Sequence, residues 1–275
     1  MVVLHILSVA LCVLCSLAVL LALLYLFLFV RPRARASASP KLLCDYAHRG
    51  LHTDTIPENS LAAFEAACEA GFGIELDIQL SKDGEVMVFH DYTLIRMTGK
   101  DAKVKDLTCA ELRELSLSGT GQTVPTFAEV LSLVNGRVPL LVELKGEDLN
   151  TDLCSKAAEL LRDYAGDFCI ESFNPLLIRA MRKHLPDVYY GQLYTNVCKD
   201  KKKRSALNVL LTAMAFNFLA RPDFIAYNYL YRDSLPVGLT TKLYTAERFV
   251  WTVRDRDELN RCHENGEYAI FEKID

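Results

Sequence analysis

The sequence predicts an α/β protein, a closed TIM-like (β/α)8 barrel preceded by one N-terminal transmembrane helix. Residues 1–30 contain no Asp, Glu, Lys or Arg, so they form a separate apolar element. Residues 41–275 alternate short apolar strands with helical segments, the pattern of a parallel sheet covered by helices. That part is close to the roughly 250 residues typical of an α/β barrel, which favours closure.

The apolar run over residues 1–30 is interpreted as a membrane anchor. As a helix rising ~1.5 Å per residue it would span about 45 Å, more than the ~30 Å hydrocarbon thickness of a bilayer. A secretory signal has a basic start and a shorter apolar core, and this run has neither. The small residues Ala36-Ser37-Ala38 can suit a signal peptidase, so a cleaved signal remains the alternative.

The residues that follow the run predict its orientation. Arg31, Arg33 and Arg35 come directly after it, and no basic side chain precedes it, so this flank and the barrel should be cytoplasmic. We interpret residues 31–40 as a basic tether. The cysteines are unevenly spaced and lack zinc-site patterns, which is typical of reduced thiols.

Charge excludes nucleic acid as the expected partner, because acidic residues outnumber basic ones and the net charge is −4. One basic cluster, residues 199–204, precedes an apolar run over residues 206–220. That run is too short to span a bilayer. It predicts either a buried barrel helix after a solvated loop or a contact with anionic lipid headgroups.

Strand and helix signals follow one another beyond the tether. Pro57-Glu58-Asn59-Ser60 supplies N-cap chemistry for a helix that Gly71 ends. Strands are predicted over residues 42–47, 73–80, 139–146, 167–173, 188–194, 223–229 and 248–253, and further helices over residues 154–164, 175–184 and 255–265.

The strand over residues 73–80 has one apolar and one polar face. Glu75 and Asp77 share the polar face, which would meet water in an antiparallel sheet. Inside a parallel barrel, two adjacent carboxylates need protons, hydrogen bonds or a cation. A two-residue turn at Asp83-Gly84 would then place His90 opposite Asp77.

A third carboxylate, Glu143, ends a later strand and shares a face with Lys145. Three carboxylates make an oxygen-rich site, which favours Ca²⁺ or Mg²⁺ over zinc. His48 and Arg49 end the first strand. A lone histidine there is often a structural hydrogen bonder, but beside a metal the pair can move protons and hold a phosphate.

Taken in order, these motifs resemble the glycerophosphodiester phosphodiesterase family. The resemblance covers nearly all of residues 45–271. It is carried by Ala47-His48-Arg49-Gly50, Pro57-Glu58-Asn59-Ser60, Glu75-Leu76-Asp77, Ser81-Lys82-Asp83-Gly84, Phe89-His90-Asp91, Val124-Pro125-Thr126-Phe127, Glu143-Leu144-Lys145, Ser172-Phe173-Asn174 and Trp251-Thr252-Val253.

The resemblance implies a TIM-like barrel with a small insertion at about residues 93–122. It also implies metal-dependent hydrolysis of glycerophosphodiesters to glycerol 3-phosphate and an alcohol. In this interpretation Glu75, Asp77 and Glu143 hold one divalent cation, Ca²⁺ or Mg²⁺. His48 and His90 act as the acid–base pair. His48 is the expected base and His90 the expected acid, but the sequence leaves the order of these two roles open. Asp91 either orients His90 or caps a loop.

Three further residues receive roles from the same resemblance. Arg49 and Lys145 would contact the substrate phosphate, and Trp251 would border the substrate pocket rather than only pack in the core. Residues 268–272 depart from the usual family ending, which leaves the details of barrel closure open.

The expected partners are a glycerophosphodiester substrate and membrane lipid around the N-terminal helix. Two alternatives remain open. The anchor could favour a lipid phosphodiester, as in a lysophospholipase D, or the barrel could be a ligand-binding module without turnover. Oligomeric state, headgroup and metal are not predicted.

Overall fold

Eight parallel strands close into a barrel in the computed structural model, which describes residues 1–33, 39–146 and 150–274. The order around the barrel is β1-β9-β8-β7-β6-β5-β4-β2, closed by pairing of β2 with β1, and β3 pairs antiparallel with β2. This confirms the predicted fold class. The strands are β1 Tyr46–Ala47, β2 Gly73–Leu80, β3 Val86–Val88, β4 Leu140–Leu144, β5 Phe168–Ser172, β6 Tyr189–Tyr194, β7 Phe224–Asn228, β8 Glu247–Val253 and β9 Tyr268–Phe271.

The first and last strands differ from the sequence-based expectation. The strand predicted over residues 42–47 is reduced to β1, because Pro40–Leu42 forms a 3-10 turn instead. The unusual C-terminal segment forms β9, which pairs with both β8 and β1 and completes the barrel.

Helices cover the outside of the barrel and begin at caps that the sequence supplies. Ser60 accepts a hydrogen bond from the backbone N–H of Ala63, and Gly71 ends that helix with a φ of 75°. The helices are α1 Val2–Leu24, α2 Leu61–Ala70, α3 Ile95–Thr98, α4 Cys109–Arg113, α5 Phe127–Val134, α6 Asp152–Arg162, α7 Pro175–His184, α8 Val197–Asp200, α9 Ala206–Thr212, α10 Asn217–Ala220, α11 Leu235–Gly238 and α12 Arg256–Glu264.

The apolar run over residues 206–220 does not form one helix. It divides into α9 and α10, and the chain turns between them at Met214, which has a φ of 50°. The turn buries Met214 but leaves Leu207 and Leu210 exposed. A single buried barrel helix is therefore the wrong description of this run.

The alternating pattern of β2 separates two chemical environments. Ile74, Leu76 and Ile78 belong to the core between strands and helices. The barrel interior holds a second core that includes the stacked and tilted rings of Tyr189, Phe224 and Phe249. At Gly191 a Cβ would lie only 2.1 Å from the Phe224 ring, so glycine is required there. Polar side chains collect beyond these rings, at the carboxyl ends of the strands.

Residues between β3 and α5 form a small subdomain beside the barrel, where the insertion is predicted. It contains α3, α4 and a core of its own. Antiparallel bridges join Thr93 to Lys103 and Ser116 to Thr123. The subdomain lies against the return strand that leads to His90.

The N-terminal helix, Val2–Phe29, is long and apolar enough to cross a membrane by length and composition, and an 18-residue window within it has a mean hydropathy of 2.9. Its end continues as a π-helical turn, Tyr25–Phe29, that packs on the barrel. We call this contact the anchor seam, defined as residues 25–33 against residues 213–222 and Tyr244. The predicted cleavage motif Ala36-Ser37-Ala38 lies outside the described residues.

Hydrogen bonds and ring packing hold the anchor seam. The Tyr25 hydroxyl donates to the Ala213 carbonyl at 2.9 Å, and the Tyr244 hydroxyl donates to the Leu26 carbonyl at 2.6 Å. Asn217 Nδ2 donates to the carbonyl of Val30 at 2.9 Å, and Val30 is fully buried. The end of the helix therefore contacts the barrel directly, at residues that precede or begin the predicted tether over residues 31–40.

Candidate active site

Three buried carboxylates lie together at the carboxyl ends of β2 and β4. Asp77 and Glu143 are register partners, and Glu75 precedes Asp77 by two residues on the inward face. One oxygen from each carboxylate lies within 4.8 Å of the others. Lys145 Nζ lies 2.9 Å from both Asp77 Oδ1 and Glu143 Oε1.

The protonation of these carboxylates shows how strongly they repel one another. Burial raises the pKa of Glu143 to about 7, with Lys145 opposing the shift and Asp77 adding to it. Burial and repulsion by Asp77 and Glu143 raise the pKa of Glu75 well above its usual range. Burial alone would raise the pKa of Asp77. The positive charges of Lys145, His90 and Arg49 outweigh burial and hold this pKa below its usual range. The cluster has excess negative charge that a hard divalent cation would compensate, and its oxygen donors fit Ca²⁺ or Mg²⁺.

His48 follows β1 at the edge of this cluster. Its Nδ1 is hydrogen-bonded to Glu272, and its Nε2 lies 3.8 Å from Glu75 Oε2. Burial lowers the pKa of His48 to about 4, although the Glu272 carboxylate favours the charged form. The imidazole is therefore neutral near pH 7.

His90 lies at the same pocket, with Nδ1 2.6 Å from Asp91 Oδ1. Arg96 Nε donates to the other Asp91 oxygen at 2.5 Å, so Asp91 bridges the two side chains. Burial lowers the pKa of His90, while Asp77 opposes this shift. Of the two roles considered for Asp91, contact with His90 is the one that the geometry supports.

The hairpin register that leads to His90 differs from the prediction by one residue. Ile78 pairs with Val88, so Asp77 lies opposite Phe89 and not opposite His90. The turn has three residues, 82–84, because Gly84 takes a φ of 82°. A one-residue shift normally moves a side chain to the other face. His90 still reaches the pocket because it lies beyond the end of β3.

Arg49 is held by carboxylates on two sides. Its Nη1 donates to Glu58 Oε1 at 2.8 Å, and its Nε lies 3.5 Å from Asp77 Oδ2. Its backbone N–H donates to Glu75 Oε2 at 2.9 Å. Asn59 Nδ2 also donates to Asp77 Oδ2, at 2.8 Å. The predicted cap segment 57–60 therefore contributes directly to the site.

The pocket enclosed by these groups has a volume of about 120 Å³. Trp251 and Phe173 form one wall, with ring centroids 5.7 Å apart and an interplanar angle of 82°. Asp77 is fully buried and does not line the pocket surface. The other seven predicted site residues line the pocket: His48, Arg49, Glu75, His90, Glu143, Lys145 and Trp251.

A family model described as the glycerophosphoryl diester phosphodiesterase family matches residues 48–272. The chain belongs to this family. The matched range contains every predicted site residue and ends at Glu272, the partner of His48.

Individual relatives agree with this assignment. A glycerophosphodiester phosphodiesterase of Caldanaerobacter subterraneus is 36% identical over 159 residues, 54% of this chain and 65% of the relative. Glycerophosphodiester phosphodiesterase 1 of Bos taurus is 28% identical, with 80% of this chain and 74% of the relative covered. The chain thus spans just under two thirds of the Caldanaerobacter protein.

Solved structures share the fold. The structure of an Oleispira antarctica phosphodiesterase in complex with the product sn-glycerol-3-phosphate superposes with a TM-score of 0.69 at 24% identity, covering 83% of this chain and 92% of that chain. A glycerophosphodiester phosphodiesterase from Thermotoga maritima superposes with a TM-score of 0.62 at 26% identity, covering 83% and 94%.

Two carboxylates of the pocket region were not predicted. Glu171 on β5 is the register partner of Glu143, and burial and repulsion by Glu143 raise its pKa well above the usual range. Among the described residues, its buried Oε2 has no hydrogen-bond partner. The alternating pattern of the strand could have identified Glu171. Glu272 follows β9 and reaches His48 only through barrel closure.

Proposed function

We propose that this family member hydrolyses glycerophosphodiesters to glycerol 3-phosphate and an alcohol, with the aid of one divalent cation. The observation that carries the proposal is the convergence of two carboxylate-bound imidazoles and three buried carboxylates on one pocket. The family assignment gives the substrate class.

Glu75, Asp77 and Glu143 would hold the cation. A bound Ca²⁺ or Mg²⁺ supplies positive charge that stabilises the phosphodiester and its developing negative charge. Lys145, which lies between Asp77 and Glu143, would shift toward the substrate phosphate together with Arg49. Arg49 and Lys145 both carry a positive charge in this site. Burial would lower the pKa of each side chain, but the neighbouring carboxylates raise it above its usual range.

His48 is the proposed base and His90 the proposed acid. Glu272 at Nδ1 orients the neutral His48 ring, and Nε2 then accepts a proton from water or from the neighbouring glycerol hydroxyl. The protonated form of His90 gives a proton to the alcohol oxygen as its bond to phosphorus breaks. Because burial lowers the pKa of His90, this form becomes scarcer and the rate should fall as the pH rises. The net reaction adds one water across that P–O bond, and each histidine returns to its starting state when the protons equilibrate.

The N-terminal helix would hold this pocket at a membrane. The helix is exposed along its length and is fixed to the barrel by the anchor seam. Arg31 and Arg33 favour a cytoplasmic barrel by the positive-inside rule. The test introduces a cysteine at the exposed Asp257 of α12 and compares its labelling by an impermeant reagent in intact cells and in inverted vesicles, with the unsubstituted chain as background.

The activity is tested with the full chain in nanodiscs, using glycerophosphocholine and glycerophosphoethanolamine as substrates. Chelation should remove turnover, and Ca²⁺ or Mg²⁺ should restore it. Release of glycerol 3-phosphate, and not of phosphocholine, identifies the bond that breaks.

Asp77→Asn is the informative variant for this assay, with Asp257→Asn on exposed α12 as its control. The first should require far more cation for half-maximal rate, and the second should behave as wild type. Turnover that persists in chelator would overturn the metal role. No turnover with any tested cation would favour the ligand-binding alternative.

A further inference from the structure

Arg96 belongs to the insertion subdomain, yet its side chain binds two carboxylates that hold residues of the catalytic pocket. Its Nε donates to Asp91 Oδ2 at 2.5 Å, and Asp91 Oδ1 lies 2.6 Å from His90 Nδ1. Its Nη2 and Nη1 donate to the two oxygens of Glu58, at 2.7 and 3.0 Å. Glu58 also accepts from Arg49 Nη1, at 2.8 Å. A continuous chain of hydrogen bonds therefore runs from His90 through Arg96 to Arg49.

Both ends of this chain lie in the catalytic pocket, and its middle lies outside. His90 and Arg49 line the pocket, whereas Arg96 does not, and the Arg96 side chain is 45% exposed. In the proposed function the two pocket residues have separate tasks, His90 as acid and Arg49 as phosphate ligand. Arg96 therefore connects the two tasks without lining the space where the substrate would bind.

The hydrogen bonds of Arg96 differ from those of an ordinary exposed ion pair. An isolated surface ion pair contributes little to stability, but a guanidinium that binds both oxygens of a carboxylate is held in one geometry. Burial opposes ionisation of Glu58 and Asp91, but hydrogen bonds from Arg96 help to hold the pKa of each carboxyl below its usual range. Both carboxylates are therefore charged near neutral pH and can orient their partners.

The contact with Asp91 determines which nitrogen of His90 can act as the acid. An ionised carboxylate only accepts hydrogen bonds, so His90 Nδ1 carries a hydrogen. The leaving alcohol then takes its proton from Nε2 as the P–O bond breaks. If Asp91 turned away, the ring could rotate and this proton would no longer be placed. Arg96 Nε opposes such a movement because it holds the other oxygen of Asp91.

We propose that Arg96 is a positioning residue through which the insertion subdomain takes part in catalysis. It fixes the ring of His90, the acid, relative to Arg49, which binds the phosphate. The inference rests on the proposed function, because it requires His90 to be the acid. Loss of Arg96 should therefore impair proton transfer to the leaving alcohol more than the other steps.

The experiment uses the full chain in nanodiscs and two substrates that differ in their need for an acid. Glycerophosphocholine releases choline, an alcohol that must gain a proton. The p-nitrophenyl ester of glycerol 3-phosphate releases p-nitrophenolate, which leaves as a stable anion without one. Arg96→Gln removes the charge and the forked donor. The kcat should fall about 10–100-fold for glycerophosphocholine and less than about threefold for the ester.

Two further variants support this comparison. Arg96→Lys keeps the charge, but one ammonium cannot bind both oxygens of Glu58 and also reach Asp91. Its kcat for glycerophosphocholine should lie between those of Arg96→Gln and the wild type, and it gives the same comparison if Arg96→Gln fails to fold. Arg113→Gln is the matched control and should keep both rates. Arg113 lies on α4 of the same subdomain, is also 45% exposed and pairs with Glu129, which does not line the pocket.

The outcomes separate the inference from the proposed function. Equal losses for the two substrates in Arg96→Gln overturn the inference, because Arg96 then affects only binding or folding. Wild-type rates in both Arg96 variants also overturn it. His90→Ala should show the selective loss in full, and an equal loss there contradicts the acid role and the inference with it. If the wild-type chain with Ca²⁺ or Mg²⁺ hydrolyses neither substrate, the proposed function itself is contradicted.

Discussion

The catalytic pocket and the anchor seam are two contacts of very different chemistry in one barrel. The pocket buries opposed charges, such as Lys145 between Asp77 and Glu143. The seam joins neutral donors, such as the Tyr25 and Tyr244 hydroxyls, to backbone carbonyls. Burying charges costs free energy that their pairing does not fully return, whereas a neutral hydrogen bond contributes about 0.5–1.5 kcal/mol. Pocket variants should therefore change turnover most, and seam variants should change stability.

The largest expected effect is the loss of either histidine. His48→Ala and His90→Ala should each lower kcat by roughly 10²–10⁴-fold, because each removes a proton-transfer group. Their circular dichroism spectra should remain those of the wild type. A near-normal rate in either variant would contradict the assigned chemistry. Unchanged rates together with a loss of the cooperative melting transition would show that the pocket, like the seam, contributes to stability rather than to turnover.

An intermediate effect is expected at Glu272, which we describe as a positioning residue. Glu272→Gln keeps a hydrogen-bond acceptor but removes the charge beside His48, so kcat should fall about 10–100-fold with little change in KM. Glu272→Asp should recover part of the rate, whereas a purely structural role would give no such order between Gln and Asp. Glu264→Gln on α12, which is exposed, is the matched control.

The smallest effect is expected in the seam. Tyr244→Phe keeps the ring but removes the donor to the Leu26 carbonyl, which should cost about 1 kcal/mol of unfolding free energy. For a domain of this size, that corresponds to a melting temperature lower by roughly 2–4 °C. Turnover of glycerophosphocholine should stay within about twofold of wild type. A large loss of kcat would show that the seam and the pocket are coupled.

The site could be predicted to the extent that it follows strand periodicity. The inward direction of Glu75 and Asp77 came from the alternation of β2, and the structure places Ile74 and Ile78 in the outer core accordingly. The return register was wrong because an Asp-Gly pair suits both two-residue and three-residue hairpin loops. Only the packing of the two strands selects between them.

The barrel class, the family motifs and the residue types of the site could all be predicted from the sequence, because they depend on local periodicity and on the order of short motifs. The pairing of His48 with Glu272, the docking of Val30 on Asn217 and the contact between Phe173 and Trp251 became visible only in the folded barrel. The paired residues are 224 and 187 positions apart in the chain. Contacts at such separations arise from barrel closure and side-chain packing, which leave no local pattern in the sequence.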